Sequence, residues 1–173
     1  MLFSKYVIFI KNSNVMTAHA VLQYEIERNK PMPNLVHGLI QSNLNLALRL
    51  KYREKYMFPN ELSLATIPGS TPDICVYPKR IVSSRNVSAK ESETPVTTIE
   101  IQSPSQSIDE LISKTWNIYF PMGVKSAWIV IPALKAVQIL LPNEQKVLFT
   151  QGIVTDTASH IEIELADIFE GIT

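Results

Sequence analysis

The chain is short of cysteine: Cys75 stands alone among 173 residues. No internal disulfide can form, and no second thiol lies at ligand spacing, which suits a reducing compartment and argues against a structural zinc site. A small buried hydrophobe within a strand is the expectation for Cys75. Excess charge is missing too. Lys and Arg total 16, as do Asp and Glu, so no global field draws the protein onto nucleic acid or anionic lipid, and any such contact must be local. There is no long hydrophobic run at the N-terminus. The stretch from Tyr6 to Ile10 is followed by Lys11, Asn12, Ser13 and Asn14, which is too short for a membrane span and poor as a signal sequence. The expectation is a soluble, cytoplasmic protein with no membrane partner. No internal repeat or low-complexity tract is present.

What the chain does have is apolar content, 46% of its residues, enough for one good core at this length and short of two independent domains. Residues 1–16 read as an N-terminal extension and 17–173 as the domain; truncation to Met16 is expected to leave stability unchanged. From Thr17 a short helix or turn, an extended segment from Leu22 to Ile26 and a loop at Pro31 and Pro33 are expected. Asn34 can cap a long helix running to about Lys55, with Val36, Ile40, Leu44, Ala47 and Leu48 on one stripe. His37 sits in its first turn, where a histidine is ordinarily solvated or capping.

Further on, Glu61 to Thr66 and Asp73 to Tyr77 read as two strands joined across Pro68-Gly69-Ser70. The second is almost wholly apolar after its opening aspartate and so is expected to be central. Pro78 to Pro95 carries Lys79, Arg80 and Arg85 with no apolar periodicity, as a long exposed loop would. Ala136 to Leu141 and Lys146 to Thr150 suggest a hairpin, and Ile161 to Phe169 a last strand followed by a short helix.

The organising stretch runs from Thr97 to Pro132. Thr97 to Ile101 favours an extended backbone, and Ser103-Pro104 closes it. Glu100 and Gln102 share one face of that strand. Ser105 or Ser107 can cap the next helix, whose first turn holds Asp109 and Glu110. Ile108, Leu111, Ile112, Thr115 and Tyr119 form the face packed on the sheet. Lys114 lies on the border of that stripe, where its amine can reach back toward the strand. Gly123 suits the helix end, and Ala127 to Ile131 a second buried strand. Trp116, Trp128 and Tyr119 have apolar neighbours, so core packing is expected of them rather than base stacking.

Asp73 and Glu100 on neighbouring strands, with Lys114 reaching in, would place two hard oxygen ligands and one cation around a common point. Such a pair suits Mg²⁺, and the set permits hydrolysis of a phosphodiester. Spacing alone goes no further, since a strand-entry aspartate can equally bond nearby amides.

Tyr24-Glu25, His37, Thr71-Pro72-Asp73, Thr98 to Ser105, Lys114 with Tyr119, and Gly123-Val124 through Trp128 to Pro132 together resemble the Uma-two family of restriction-endonuclease-like proteins, a branch of the PD-(D/E)xK nuclease superfamily. The resemblance covers Thr17 to Phe169. It implies a single α/β domain with a central mixed sheet flanked by helices, and a Mg²⁺- or Mn²⁺-dependent endonuclease acting on DNA. Asp73 would be the aspartate of the PD element and Glu100 the acid of the E-x-K element, both metal ligands. Gln102 stands where the superfamily commonly has lysine, and Lys114 on the following helix matches the family's replacement. Glu25 matches an acid before the long helix, which supports a metal-bound water or caps a backbone group; His37 matches a histidine near that helix's start. Ile131 stands where the family often has aspartate. Lys79, Arg80 and Arg85, then Arg49 and Arg53, are the expected phosphate contacts. Cutting both strands would call for a symmetric homodimer. Gln102 and Ile131 keep a rival alive, a catalytically silent module on the same fold that binds nucleic acid or a protein.

Overall fold

The computed structural model describes residues 33–85 and 88–173. The expectations for residues 1–32, among them the extension, its truncation and the place of Glu25, lie outside the described residues.

The long helix forms as its sequence dictates. Asn34 is extended, and its side-chain oxygen accepts the His37 backbone N–H at 2.9 Å, satisfying one of the donors a helix start leaves open. Helix α1 then runs Leu35–Tyr52, three residues short of the expected end, and buries His37, Ile40, Leu44, Ala47 and Leu48. It lies on a six-stranded sheet in sequential order: β1 (Tyr56–Met57), β2 (Ile74–Pro78), β3 (Thr97–Ile101), β4 (Ser126–Ile131), β5 (Ala136–Leu140) and β6 (Lys146–Phe149). Only β3 and β4 pair in parallel; the other neighbours are antiparallel.

That parallel pair needs a crossover. It is supplied by α2 (Ile108–Lys114), a single turn of π-helix (Thr115–Tyr119) and the short α3 (Phe120–Met122). Ser107 and Glu110 cap α2 reciprocally, and Gly123 ends the run at φ 104°, a left-handed conformation that glycine adopts without a Cβ penalty.

Strand alternation divides the core. Ile74, Val76, Ile99, Ile101, Trp128 and Val130 face α1 and a second small sheet, β7 (Ile153–Asp156) with β8 (Ile161–Glu164), followed by α4 (Leu165–Ile168). Cys75, Tyr77, Ile129 and Ile131 face the crossover. The sheet is therefore a middle layer, and Asp73 and Glu100 belong to the crossover side.

One expected strand does not form. Residues 61–66 form no strand, and meet their neighbours through isolated bridges from Leu64 to Ser70 and to Glu91 and through single backbone bonds such as that from the Glu61 N–H to the Asp73 carbonyl. The edge of β2 is taken instead by Tyr56–Met57, and the Leu64 and Ala65 N–H groups are spent on the Ser70 and Glu91 carbonyls. β7, which no sequence pattern announced, is pinned by Asp156. Its buried carboxylate accepts from Thr97 Oγ1, Ser126 Oγ, Trp128 Nε1 and Ser159 Oγ at 3.2, 2.6, 2.9 and 2.8 Å.

Candidate active site

Two acids meet at one end of the sheet. The register that pairs Ile74 with Ile99, continued by one residue, sets Asp73 across from Glu100, and directly opposed residues of an antiparallel pair point to the same face. Both are buried, at 1% and 4% exposure.

Each acid is held by a different layer. Asp73 Oδ2 accepts the backbone N–H of Ile101 at 2.7 Å, and its Oδ1 lies 3.0 Å from His37 Nε2, delivered by the first turn of α1. Gln41, one turn on, donates to the Asp73 backbone carbonyl at 2.9 Å, so α1 grips this residue twice. Glu100 is engaged from the crossover: Lys114 Nζ donates to Oε1 at 2.7 Å, and the Tyr119 hydroxyl donates to the same oxygen. Ser70 Oγ bonds the Tyr119 hydroxyl in turn, at 2.8 Å.

The π-turn explains how both side chains reach one carboxylate. Residues five apart sit about 140° around an ordinary helix of 3.6 residues per turn, whereas an i→i+5 turn brings them to one face. The backbone N–H of Phe120 reaches Thr115 C=O in this way. Burial, then the neighbouring Glu100 carboxylate, holds the Tyr119 phenol well above its ordinary range. It stays a proton donor to Glu100 at any ordinary pH.

Of the other expected residues, Gln102 follows β3 and gives its amide to the Gln106 carbonyl at 2.9 Å, tying down the turn before α2. Lys79, Arg80 and Arg85 are not brought to the acids. Lys79 lies six residues along β2 from Asp73, about 20 Å at strand rise, and it pairs with Glu54 at 2.9 Å. Arg80 pairs with Glu91 at 3.2 Å and with Glu93, while Arg85 is exposed on the loop. Arg49, Arg53, Lys79 and Arg80 line one shallow pocket of about 280 Å³ with Glu54, Tyr56 and Met57, at the far end of α1 from His37.

Two residues that sequence reasoning did not place here are Tyr119 and Glu61. The five-residue interval from Lys114 to Tyr119 was the available signal, but at α-helical pitch it reads as core. Glu61 gave none, because it was assigned to a strand; its backbone donates to the Asp73 carbonyl at 3.1 Å from a left-handed φ of 51°.

The arrangement fits a divalent cation. It offers hard carboxylate oxygens, and ligand atoms of His37, Glu61 and Asp73 lie within 4.8 Å of one another. The Nδ1 of His37 is buried without a hydrogen-bond partner among the described residues.

Among solved structures, the chain is similar to a protein of Anabaena variabilis ATCC 29413 described as "a putative nuclease belonging to DUF820". The TM-score is 0.68 at 23% identity, over 80% of this chain and 83% of that one, a likeness of fold. No curated protein matches the chain. Its sequence does match the family model Uma2, described as "Putative restriction endonuclease", over residues 11–168, and on that coverage the chain belongs to this family.

Proposed function

We propose that the protein is a divalent-metal-dependent endonuclease that hydrolyses DNA phosphodiester bonds at the Asp73 and Glu100 end of the sheet. The observation that carries this reading is the 2.7 Å contact between Lys114 and Glu100. It brings an amine to one of the two acids although Gln102 occupies the strand position where the amine is commonly found.

Asp73 and Glu100 would hold the cation, Mg²⁺ or Mn²⁺, which when bound supplies Lewis acidity and neutralises charge on the phosphate. Lys114, 12% exposed at the mouth of the site, presents its ammonium where negative charge develops on the phosphoryl oxygens. Tyr119 keeps Glu100 oriented, and the Ile101 N–H keeps Asp73 aimed along β3. His37 closes the α1 side of Asp73. Gln102 acts through the turn it braces, and Glu25 stands as a further acid of the site on the family resemblance.

Lys79, Arg80 and Arg85 would meet phosphates of the same duplex away from the reacting bond, and a symmetric dimer would supply the second site that cutting both strands requires.

The test is nicking of supercoiled plasmid with Mg²⁺ or Mn²⁺ by wild type and by Asp73→Asn, Glu100→Gln and Lys114→Ala, each checked for folding by circular dichroism. Metal-dependent nicking lost in all three supports the enzyme. Plasmid binding without cleavage by wild type overturns it in favour of a silent binding module.

A further inference from the structure

We infer that the outer face of α1 is where two copies of this chain meet, their helices packed antiparallel across a two-fold axis that passes between Ser42 and Asn43. This gives a surface to the symmetric dimer of the endonuclease reading, and it stands on the helix rather than on the acids.

A helix lying on a sheet ordinarily turns polar residues outward. Helix α1 does not. Ile40, Leu44 and Leu48 fill its inner stripe, yet Leu35, Leu39, Leu46 and Leu50 are 87%, 37%, 59% and 70% exposed. At 100° per residue these four fall within an arc of about 60° on the side away from the core, in a stripe about 22 Å long. Single leucines scattered over a surface need no explanation, but a continuous stripe marks an interaction site. Leucine brings neither charge nor donor to a phosphate, which sets this face apart from DNA contacts.

The spacing selects the occupant. The intervals along the stripe are four, seven and four residues, so it reads the same in both directions about its centre. A two-fold interface joins one patch to itself, and two antiparallel helices need such a palindrome. Leu35 of one copy comes level with Leu50 of the other, Leu39 with Leu46, and the reciprocal pairs follow. At the centre the Asn43 amide is already spent on the Ile168 and Glu170 carbonyls, at 3.2 and 3.0 Å. Ser42, small and exposed beside the axis, allows the approach of about 8–10 Å that packed helices make.

The area agrees with a dimer. The exposed parts of the four leucines come to roughly 400 Å² per copy, about half of the roughly 800 Å² that each side of a stable interface buries. Interfaces are a little over half apolar, so the stripe supplies most of the apolar portion and leaves the remainder to its polar flanks.

The experiment is sedimentation equilibrium of the full chain across micromolar concentrations, with cysteine cross-linking to read the direction of pairing. Wild type is expected at twice the chain mass. Leu46→Glu, a change at an exposed position, should weaken the dimer by about tenfold or more, with the circular dichroism spectrum unchanged. Under mild oxidation Ser42→Cys should link two copies, while Leu50→Cys, about 22 Å along the helix axes from its own counterpart, should not; wild type, whose Cys75 is buried, is the control. A monomeric wild type overturns the proposal. So does a dimer that Leu46→Glu leaves intact, or one that links through Leu50→Cys and not Ser42→Cys; the cross-links decide even if Leu46→Glu fails to fold. The endonuclease reading fails separately, if the dimer forms as described and plasmid stays intact.

Discussion

At the residue scale the site is two carboxylates held by opposite layers, and Tyr119 is the part most open to a clean substitution. Tyr119→Phe removes one donor from Glu100 and strands Ser70, while Lys114 keeps its contact. Cleavage should fall by about tenfold or more, as for other groups that orient a ligand, with the fold retained; plasmid nicking rates measure it. The same residue has a pH signature. Its phenol is held above the ordinary value of 10.0 by burial and then by Glu100, so the fold favours the protonated form. Its contribution to stability is complete below about pH 10 and is lost as pH rises toward the folded value, because above pH 10 the unfolded chain releases a proton that the folded chain retains. Urea midpoints of wild type should drop above pH 10, and Tyr119→Phe should flatten that slope. Asp156 offers the opposite case, a carboxylate far from the site with only structural partners. Asp156→Ala leaves Thr97, Ser126, Trp128 and Ser159 without their common acceptor and should cost about 3 kcal/mol or more in urea unfolding. A mild loss would show that the hydroxyls pair among themselves, as Thr97 and Ser126 can at 2.7 Å.

At the scale of elements, what was legible in the sequence was whatever local chemistry dictates. Asn34 caps the first helix as expected, Ser107 is the one of the two candidate serines that caps the second, Gly123 ends the crossover, and the apolar strands Ile74–Pro78, Thr97–Ile101 and Ser126–Ile131 form where alternation and β-branching place them. Lys114 reaching back to Glu100 was legible as well, since a border position on an amphipathic helix can point only a few ways. The misses are all non-local. Residues 61–66 have a strand's alternation but lose the sheet edge to Tyr56–Met57, and the π-turn is a tertiary choice that no periodicity of 3.6 reveals. That turn makes its own prediction. Deleting exposed Asn117 leaves Lys114 and Tyr119 four apart, on one face of an ordinary helix. Inserting one alanine after Asn117 instead turns Tyr119 about 100° further round. Nicking should survive the deletion to within about tenfold and fall with the insertion to the level of Tyr119→Phe; equal loss in both would show that the π-turn itself is required.

At the scale of the whole molecule, charge is the governing quantity. With 16 cationic and 16 anionic side chains, attraction to DNA must come from local groupings, and the one that lines the pocket at the far end of α1 is already internally compensated. Glu54 takes Lys79 at 2.9 Å and Arg53 at 3.4 Å, while Glu91 and Glu93 take Arg80. The Lys79 contact, first, and then Arg53 hold the Glu54 carboxyl below its usual range, so it remains an anion throughout the neutral range. A phosphate entering that pocket therefore has to displace a carboxylate, and fewer counterions are released per contact than the count of Arg and Lys suggests. Binding of duplex DNA by wild type should accordingly show a shallow dependence on salt, with log K falling by about 2–3 per decade. Glu54→Gln frees Lys79 and Arg53 without changing the pocket's shape. It should tighten binding several-fold at low ionic strength and steepen the salt slope by about one, in a fluorescence anisotropy titration across potassium chloride concentrations. Because the pocket lies about 20 Å along the sheet from Asp73, single-turnover cleavage of saturated DNA should be unaffected. If Glu54→Gln leaves affinity and slope where they were, the duplex does not cross this end of α1, and its phosphates are met elsewhere on the molecule.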